Sequence, residues 1–309
     1  MNAGKMSTKG FEIQLGGDII KSNGFNWNLT MNWSNPKTMV DELAPGVDNL
    51  FLGGFTGSQI RAVAGHSYRS IYATVYAHDD QGNILINPTG TFKGYPVALG
   101  DMKYIADVQE KWRLGITNTF SYKGLRLSAT LEIKNGGHMW NGTRGALDYF
   151  GTSQGTANRA ATDVVNFGGV YGYVDSKTGA IVHTDETGND LSSSSAPVSN
   201  SLPVKENAQN WRQGDGSGFV GPSEFYVEKT DWKRLREVTL SYDLPKSLLQ
   251  RIKLQELGVF FTGRNLWLDT PYTGIDPETS LVGASNAQGM DYFNMPGTKS
   301  YTIGLKVTF

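Results

Sequence analysis

The last eleven residues of the chain, 299–309, read KSYTIGLKVTF, and this stretch decides the fold class. Every second residue is apolar, and these residues are Tyr301, Ile303, Leu305, Val307 and Phe309. Because successive side chains of a β-strand point to opposite faces, the five apolar side chains share one face of an extended strand. The stretch therefore predicts a β-strand with one apolar face and one polar face.

Six further segments show the same alternation. Together with the last segment they predict seven strands, near 10–19, 24–34, 111–122, 124–134, 231–244, 256–264 and 299–309. Each is about ten residues long, which is the length that a tilted membrane strand requires. In the fifth segment Leu235 is out of phase with Val238 and Leu240, which predicts a β-bulge. The sequence therefore predicts an all-β, antiparallel protein.

The connections between the predicted strands alternate between short and very long, and the long ones are 35–110, 135–230 and 265–298. A compact soluble domain rarely contains structureless loops of this length. Outer-membrane barrels, in contrast, combine short periplasmic turns with long extracellular loops. With the C-terminus on the periplasmic side, all three long loops would lie outside the cell. The alternative is a soluble sheet whose aromatic face packs on a core, and it leaves the loops unexplained.

Composition excludes several classes of protein. The 28 basic and 29 acidic residues give a net charge of −1, which argues against nucleic acid as the main partner. The absence of cysteine excludes a disulfide scaffold, thiolate metal sites and cysteine catalysis. No stretch approaches the roughly 18 apolar residues of a membrane-spanning helix. The mean hydropathy of −0.35 does not exclude a membrane barrel, because lipid-facing and lumen-facing residues average out.

No catalytic constellation stands out in the sequence. The four histidines lie in predicted loops without metal-ligand spacing, so neither a metal nor a cofactor is expected; they are His66, His78, His138 and His183. A β-rich glycoside hydrolase would need two facing carboxylates about 5–10 Å apart. The predicted strands contain few carboxylates, namely Glu12, Asp18, Glu132, Glu237 and Asp243. The chain is therefore not expected to be an enzyme.

Several motifs resemble a known family. They are GIDPET at 274–279, QGMDYFNMPGT at 288–298, FTGRNLW at 261–267, WKRLREVTLSY at 232–242 and the final strand ending in Phe309. These motifs resemble the C-terminal barrel of SusC/RagA-type TonB-linked outer-membrane transporters. NAGKM at 2–6 and NGTR at 141–144 are similar to segments from the middle of the family's barrel. The resemblance covers essentially the whole chain and is weakest in the middle of 137–230.

The resemblance implies a function and partners. Members of the family import oligosaccharides or peptides across the bacterial outer membrane, together with a SusD-like surface lipoprotein and TonB, which acts through an N-terminal plug. They form a barrel of about 22 strands around this plug, whereas the match here begins in mid-barrel, without a plug or export signal. Seven strands are fewer than the roughly eight of the smallest membrane barrels. The chain is therefore expected to be a partial transmembrane β-barrel with the plug domain absent.

The resemblance and the strand pattern together suggest site residues. Polar residues of the predicted strands would line a wet interior in contact with the plug, namely Arg113, Arg126, Glu132, Lys134 and Arg264. Aromatic residues of the loops would stack on sugar rings or, equally, pack against the lipoprotein. These are Trp140, Tyr149, Phe150, Trp211, Tyr272, Tyr292 and Phe293, of which Trp140, Tyr149, Trp211, Tyr272 and Tyr292 are the main candidates.

Two further segments can be interpreted either as functional or as purely structural. The strand from Tyr301 to Phe309 resembles the C-terminal signal that the outer-membrane assembly machinery reads, and it is also simply a last barrel strand. Asp276-Pro277-Glu278 could bind calcium or serve as an acid–base pair, but a rigid turn is favoured because proline fixes the backbone and aspartate caps turns. Among whole-protein alternatives, a soluble glycan-binding β-sandwich with aromatic loop platforms remains open.

Overall fold

The computed structural model describes residues 4–157, 164–250 and 254–309. In chain order the strands are β1 (Gly4–Lys9), β2 (Glu12–Ser22), β3 (Phe25–Ser34), β4 (Lys37–Leu43), β5 (Asn49–Gly54), β6 (Ser58–Val63), β7 (Ser70–Tyr76), β8 (Leu85–Ile86), β9 (Ala98–Asp107), β10 (Trp112–Tyr122), β11 (Leu125–Asn135), β12 (His138–Asn141), β13 (Val170–Val174), β14 (Ile181–His183), β15 (Val227–Lys229), β16 (Trp232–Asp243), β17 (Glu256–Asp269), β18 (Met290–Asp291) and β19 (Ser300–Thr308). The α-helices are α1 (Gly142–Tyr149), α2 (Gln209–Arg212) and α3 (Lys246–Leu249), and short 3₁₀ turns span Gln154–Thr156 and Glu224–Tyr226.

None of the helices in the described part of the chain combines the length and the apolar composition needed to cross a bilayer. Residues 2 and 3 of the mid-barrel motif at 2–6 lie outside the described residues.

The seven predicted strands form one antiparallel sheet in the order β19-β17-β16-β11-β10-β3-β2. The sheet is open, since its edge strands β2 and β19, both fully described, are not paired with each other. Two strands are longer than their alternation predicts: β2 continues to Ser22 and β17 to Asp269. Each contains a register shift, next to Ile20 in β2 and beyond Arg264 in β17, and the shift breaks the period-two pattern there.

One face of this sheet is apolar across all seven strands, and it is called the apolar face below. A single row of paired residues crosses it from edge to edge: Ile303, Phe261, Leu240, Leu127, Phe120, Trp27 and Ile20. These side chains have no covering layer, and Ile303 is 81% exposed. Asn118 interrupts the face, and its side-chain oxygen accepts the indole N–H of Trp27 at 3.1 Å. An exposed apolar face of this extent is typical of a surface that contacts a membrane or another protein.

The predicted bulge in β16 is confirmed. Pairing with β11 shifts between Leu235 and Glu237 and leaves Arg236 as the extra residue, and pairing with β17 shifts at the same place. The bulge restores the phase of the strand, so Val238 and Leu240 return to the apolar face. It also places Arg236 beside Arg234 on the opposite face, where both make ion pairs.

Two of the hairpins at one end of the sheet have tight turns. β2 and β3 are joined by Asn23-Gly24, and β10 and β11 by Lys123-Gly124. The φ angles are positive at all four positions, namely 47°, 82°, 46° and 88°. Two successive positive φ angles define a type I′ turn, whose twist matches that of the flanking strands.

The long connections at the other end are folded rather than structureless. They form a four-stranded sheet (β5-β6-β7-β9) and two three-stranded sheets (β15-β12-β18 and β14-β13-β8), and β4 pairs with β1 as a continuation of the β2–β3 hairpin. Residues from all three connections share one hydrophobic core, which includes Ile60, Ile71, Trp140, Tyr226 and Met290. The three connections 35–110, 135–230 and 265–298 are therefore called the loop layer. The apolar core of the molecule lies in this layer.

The type I′ turn at Lys123-Gly124 is expected to be sensitive to substitution. Gly124→Val should lower the free energy of unfolding in detergent by about 1–3 kcal/mol or more, because a β-branched residue is strained at positive φ. Its Cβ would also lie 2.6 Å from the carbonyl oxygen of Asp243. Gly17→Val is the control, since Gly17 has no neighbouring atom within 4 Å of an added Cβ. Urea unfolding followed by circular dichroism would contradict the prediction if both variants lost equal stability.

Candidate functional site

The opposite face of the seven-stranded sheet is polar, and it is called the polar face below. The row that backs the apolar one consists of Thr302, Thr262, Thr239, Ser128, Thr119, Asn28 and Asp18. Neighbouring side chains in this row bond to each other, as between Thr239 and Thr262 at 2.9 Å and between Asn28 and Asp18 at 3.0 Å. Such cross-strand pairs satisfy the polar groups without water.

The five residues predicted to face a wet interior all lie on the polar face. Arg113 pairs with Lys134, and Ser121 with Arg126, in the β10–β11 ladder, while Glu132 lies between them on the same face. Arg264 pairs with Glu237 across β16 and β17, with 2.7 Å between Nε and Oε2. Their position is therefore the one that the alternation predicts, and a role in lining the lumen stays a prediction.

A buried ion pair ties the loop layer to the polar face. Nη2 of Arg234 lies 2.7 Å from Oδ1 of Asp276, and both side chains are less than 10% exposed. Arg236 extends the network, because its Nη2 lies 2.6 Å from Glu132 and 2.8 Å from Glu278. The seven-stranded sheet thus holds the segment 265–298 through two arginines of β16, Arg234 and Arg236, which are separated by one residue.

The turn at Asp276-Pro277-Glu278 is present as the favoured interpretation predicts. The backbone N–H of Glu278 donates to Oδ1 of Asp276 at 2.9 Å, and that of Thr279 donates to the Asp276 carbonyl at 3.1 Å. The two carboxylates of this turn bind the arginines of β16. Among the described residues, no group of acidic or histidine side chains has an arrangement that could hold a metal ion.

Trp232 is the centre of the charged end of the polar face. It is 2% exposed, and the guanidinium groups of Arg113, Arg234 and Arg236 lie 5.5, 5.5 and 5.4 Å from its ring. Guanidinium groups at this distance are attracted by the negative face of an indole ring. The ring therefore helps to hold three like charges close together.

Three of the predicted stacking residues are buried, and the prediction of a platform is wrong for them. Trp140, Trp211 and Tyr272 are only 3%, 3% and 4% exposed. A stacking platform needs an exposed ring face, and these rings pack inside the loop layer, Trp140 against Met290 and Trp211 against Tyr95. The sequence pattern missed this burial because it could not show that the long connections fold together.

Tyrosine hydroxyls of the loop core donate to buried acceptors. Tyr272 donates to Oδ2 of Asp291, and Tyr226 to Oδ2 of Asp148, both at 2.8 Å. Burial raises the pKa of both phenols well above the ordinary value, and the neighbouring carboxylate adds to the effect. Because the protonated phenol is the donor, these tyrosines stabilise the loop layer as neutral groups.

The other two candidates are half-buried members of aromatic groups that reach the surface. The ring of Tyr149 is 5.0 Å from that of Phe150 and 5.4 Å from that of Phe219, and Phe150 is 61% exposed. A second group combines Tyr292 with Phe293 at 4.9 Å and Phe55 at 5.1 Å. Sequence reasoning did not select Phe219 and Phe55, because each comes from a part of the chain distant from its partner. Stacking by Tyr149 and Tyr292 stays a prediction.

The C-terminal residues lie at an edge of the sheet. Among the described strands β19 pairs only with β17, and its apolar side chains are uncovered, with Tyr301 65% and Phe309 85% exposed. This edge is able to pair with a further strand. A role of Tyr301 and Phe309 as an assembly signal stays a prediction.

The architecture is that of a section of an outer-membrane-type β-barrel wall. Seven long antiparallel strands present one exposed apolar face and one polar face, with tight turns at one end and long, folded connections at the other.

Comparison with known proteins supports this assignment of the fold. TonB-dependent receptor P3 of Formosa agariphila is 24% identical over 338 residues, covering 100% of this chain and 29% of that protein. TonB-dependent receptor P26 of the same organism is 25% identical over 331 residues, covering 100% of this chain and 30% of that protein.

The chain is therefore homologous over its whole length to TonB-dependent receptors, and it spans about 30% of the length of these relatives. Solved structures show the same fold. The RagAB peptide transporter matches with a TM-score of 0.61 and 19% identity, covering 99% of this chain and 30% of that chain. The RagAB peptide importer in the closed-closed state matches with a TM-score of 0.59 and 20% identity, over 99% of this chain and 30% of that one. No protein-family model matches the chain.

The buried ion pair should be more important for the loop layer than the exposed one. Arg234→Gln is expected to cost about 3–5 kcal/mol, because it leaves the Asp276 carboxylate buried without a cation. Arg264→Gln on the same face should cost no more than about 1 kcal/mol, because water screens the exposed pair with Glu237. The measurement is the rate of proteolysis within 265–298, together with urea unfolding. Equal protease sensitivity of the two variants would contradict the prediction.

Proposed function

We propose that this chain forms part of the barrel wall and extracellular loops of a TonB-dependent importer in the bacterial outer membrane. The observation that carries the proposal is the exposed apolar face that extends across seven strands, in a chain homologous throughout to TonB-dependent receptors. A lipid bilayer covers such a face, while the polar face lines the lumen. The homologues are receptors and transporters, so the expected activity is transport without covalent change to the substrate.

The orientation of the chain in the membrane follows from the different connections at the two ends of the sheet. The tight turns would lie at the periplasmic side and the folded loop layer outside the cell, as in other outer-membrane barrels. There the exposed aromatic groups around Tyr149 and Tyr292 would contact an oligosaccharide or peptide, or a SusD-like surface lipoprotein. Arg113, Arg126, Glu132, Lys134 and Arg264 would face a plug domain of the whole protein, through which TonB acts.

The apolar face provides the first test of membrane insertion. Ile116→Lys should destabilise the protein in lipid vesicles by about 2–4 kcal/mol, because a charge near the middle of a membrane strand faces hydrocarbon. Thr117→Lys is the matched control, since the next side chain along β10 lies on the polar face. Folding yield and urea unfolding in vesicles measure both. Equal tolerance of the two variants, or a stable water-soluble monomer without detergent, would favour the soluble glycan-binding β-sandwich instead.

The transport role is tested in bacteria that produce the tagged whole protein. We expect it in the outer-membrane fraction, co-purifying with a surface lipoprotein, and we expect its loss to reduce growth on one class of nutrient. Growth on defined polysaccharides and on peptide mixtures separates the two substrate classes. The triple variant Tyr149→Ala, Phe150→Ala, Phe219→Ala should reduce this growth or the co-purification while leaving the protein in the membrane. A protein that stays in the cytoplasm or periplasm would contradict the proposal.

A further inference from the structure

A cavity of about 400 Å³ lies where the polar face meets the loop layer. The wall contributes Arg113, Lys134 and Trp232, and the loops contribute Arg69 and Glu278 among other residues. Ligand pockets in proteins typically have volumes of about 300–1,000 Å³. The cavity is therefore large enough for a small organic molecule.

The charges around this cavity are not balanced. It is lined by three cations, on Arg69, Arg113 and Lys134, and by two carboxylates, on Glu110 and Glu278. Both carboxylates already have arginine partners, since Glu110 lies 2.8 Å from Arg113 and Glu278 lies 2.8 Å from Arg236.

Two of the cations, in contrast, have no carboxylate within ion-pair distance among the described residues. Nζ of Lys134 donates to the hydroxyl of Thr230 at 2.9 Å, and the guanidinium of Arg69 donates to the side chain of Gln288. Both partners are neutral. A half-buried cation with only neutral partners is stabilised by an anion. The two positive charges of Arg69 and Lys134 are thus available to a ligand.

Residues of the cavity also carry hydrogen-bond donors that lack acceptors. Nε of Arg69 and Nε1 of Trp232 are buried and have no hydrogen-bond partner. The whole Trp232 side chain is only 2% exposed. Both groups can only donate, so what is missing around them is an acceptor. Buried donors without partners are uncommon because they cost free energy in the folded state.

The backbone at Arg69 is unusual as well. Its φ angle is +68°, a left-handed conformation that non-glycine residues rarely adopt. A hydrogen bond from the residue that follows β9 helps to hold this conformation, because the N–H of Val108 donates to the Arg69 carbonyl at 3.1 Å. Strained residues of this kind occur preferentially at binding sites, where the surrounding structure enforces them.

We infer that this cavity binds a small organic carboxylate, with Arg69 and Lys134 as the cations that recognise it. The free C-terminus of a short peptide and the acid group of a uronic acid both supply this chemistry. Binding requires only the wall and the three connections of the loop layer, so the inference does not depend on import. It deepens the proposed function if the carboxylate belongs to the imported substrate.

The test uses two pairs of probes that differ by one negative charge. The purified protein in detergent is titrated by calorimetry with triglycine and triglycinamide, and with galacturonate and galactose, in a buffer free of carboxylates. We expect the charged member of at least one pair to bind about tenfold or more tightly than its neutral twin, as for a charge-assisted hydrogen bond. Triglycine binding identifies a peptide terminus as the source, and galacturonate binding identifies a uronic acid.

Variants then place the binding in the cavity. Lys134→Met and, separately, Arg69→Gln should each weaken the charged probe about tenfold and leave the neutral twin unchanged. Lys123→Met is the matched control, because it removes the same charge from the turn that begins β11 and does not line the cavity. Circular dichroism verifies the folding of each variant, and Arg69→Gln serves if Lys134→Met does not fold.

Three results would overturn the inference. They are equal affinity for both members of each pair, no binding of any probe at millimolar concentration, and unchanged binding by the folded variants of both Lys134 and Arg69. Each of these results leaves the test of membrane insertion by Ile116→Lys unaffected. A failure of the carboxylate site is therefore distinguishable from a failure of the proposed function.

Discussion

The structure depends on keeping seven strands in phase, so that every apolar side chain lies on the same face. Side chains alternate with a period of two, and a slip of one residue would exchange the faces of a whole strand. Two type I′ turns set the register of the β2–β3 and β10–β11 hairpins. Where the pattern itself slips, a bulge corrects it, as at Arg236 in β16. The result is a wall with a coherent apolar face and a coherent polar face.

The bulge in β16 also creates the ion-pair network that joins the polar face to the loop layer. By adding one residue to the strand, the bulge brings Arg236 next to Arg234 on the polar face, and both arginines bind the turn at Asp276 and Glu278. The same turn supplies Glu278 to the wall of the cavity. A local irregularity of the strand is therefore the point where the barrel wall, the loop layer and the proposed carboxylate site are joined. This arrangement agrees with the tendency of bulges to occur next to functional sites.

The homology and the physical pattern support each other in different ways. Identities of 24% and 25% to TonB-dependent receptors show common descent over the whole chain. The exposed apolar face gives the physical argument for the proposed membrane location, since no folded layer of the described residues covers it. The long connections, which a compact soluble domain rarely tolerates as loops, prove to be an apolar core of their own.

The sequence by itself determined the strands, their two faces and the positions of Arg113, Arg126, Glu132, Lys134 and Arg264, because alternation is a local property of an extended chain. It also indicated the bulge near Leu235 and the turn at Asp276-Pro277-Glu278. Only the tertiary structure decided that Trp140, Trp211 and Tyr272 are buried and that Phe55 and Phe219 join the surface aromatic groups. The cavity between Arg69 and Lys134 is likewise beyond the sequence, because contacts between distant loops have no local period to reveal them.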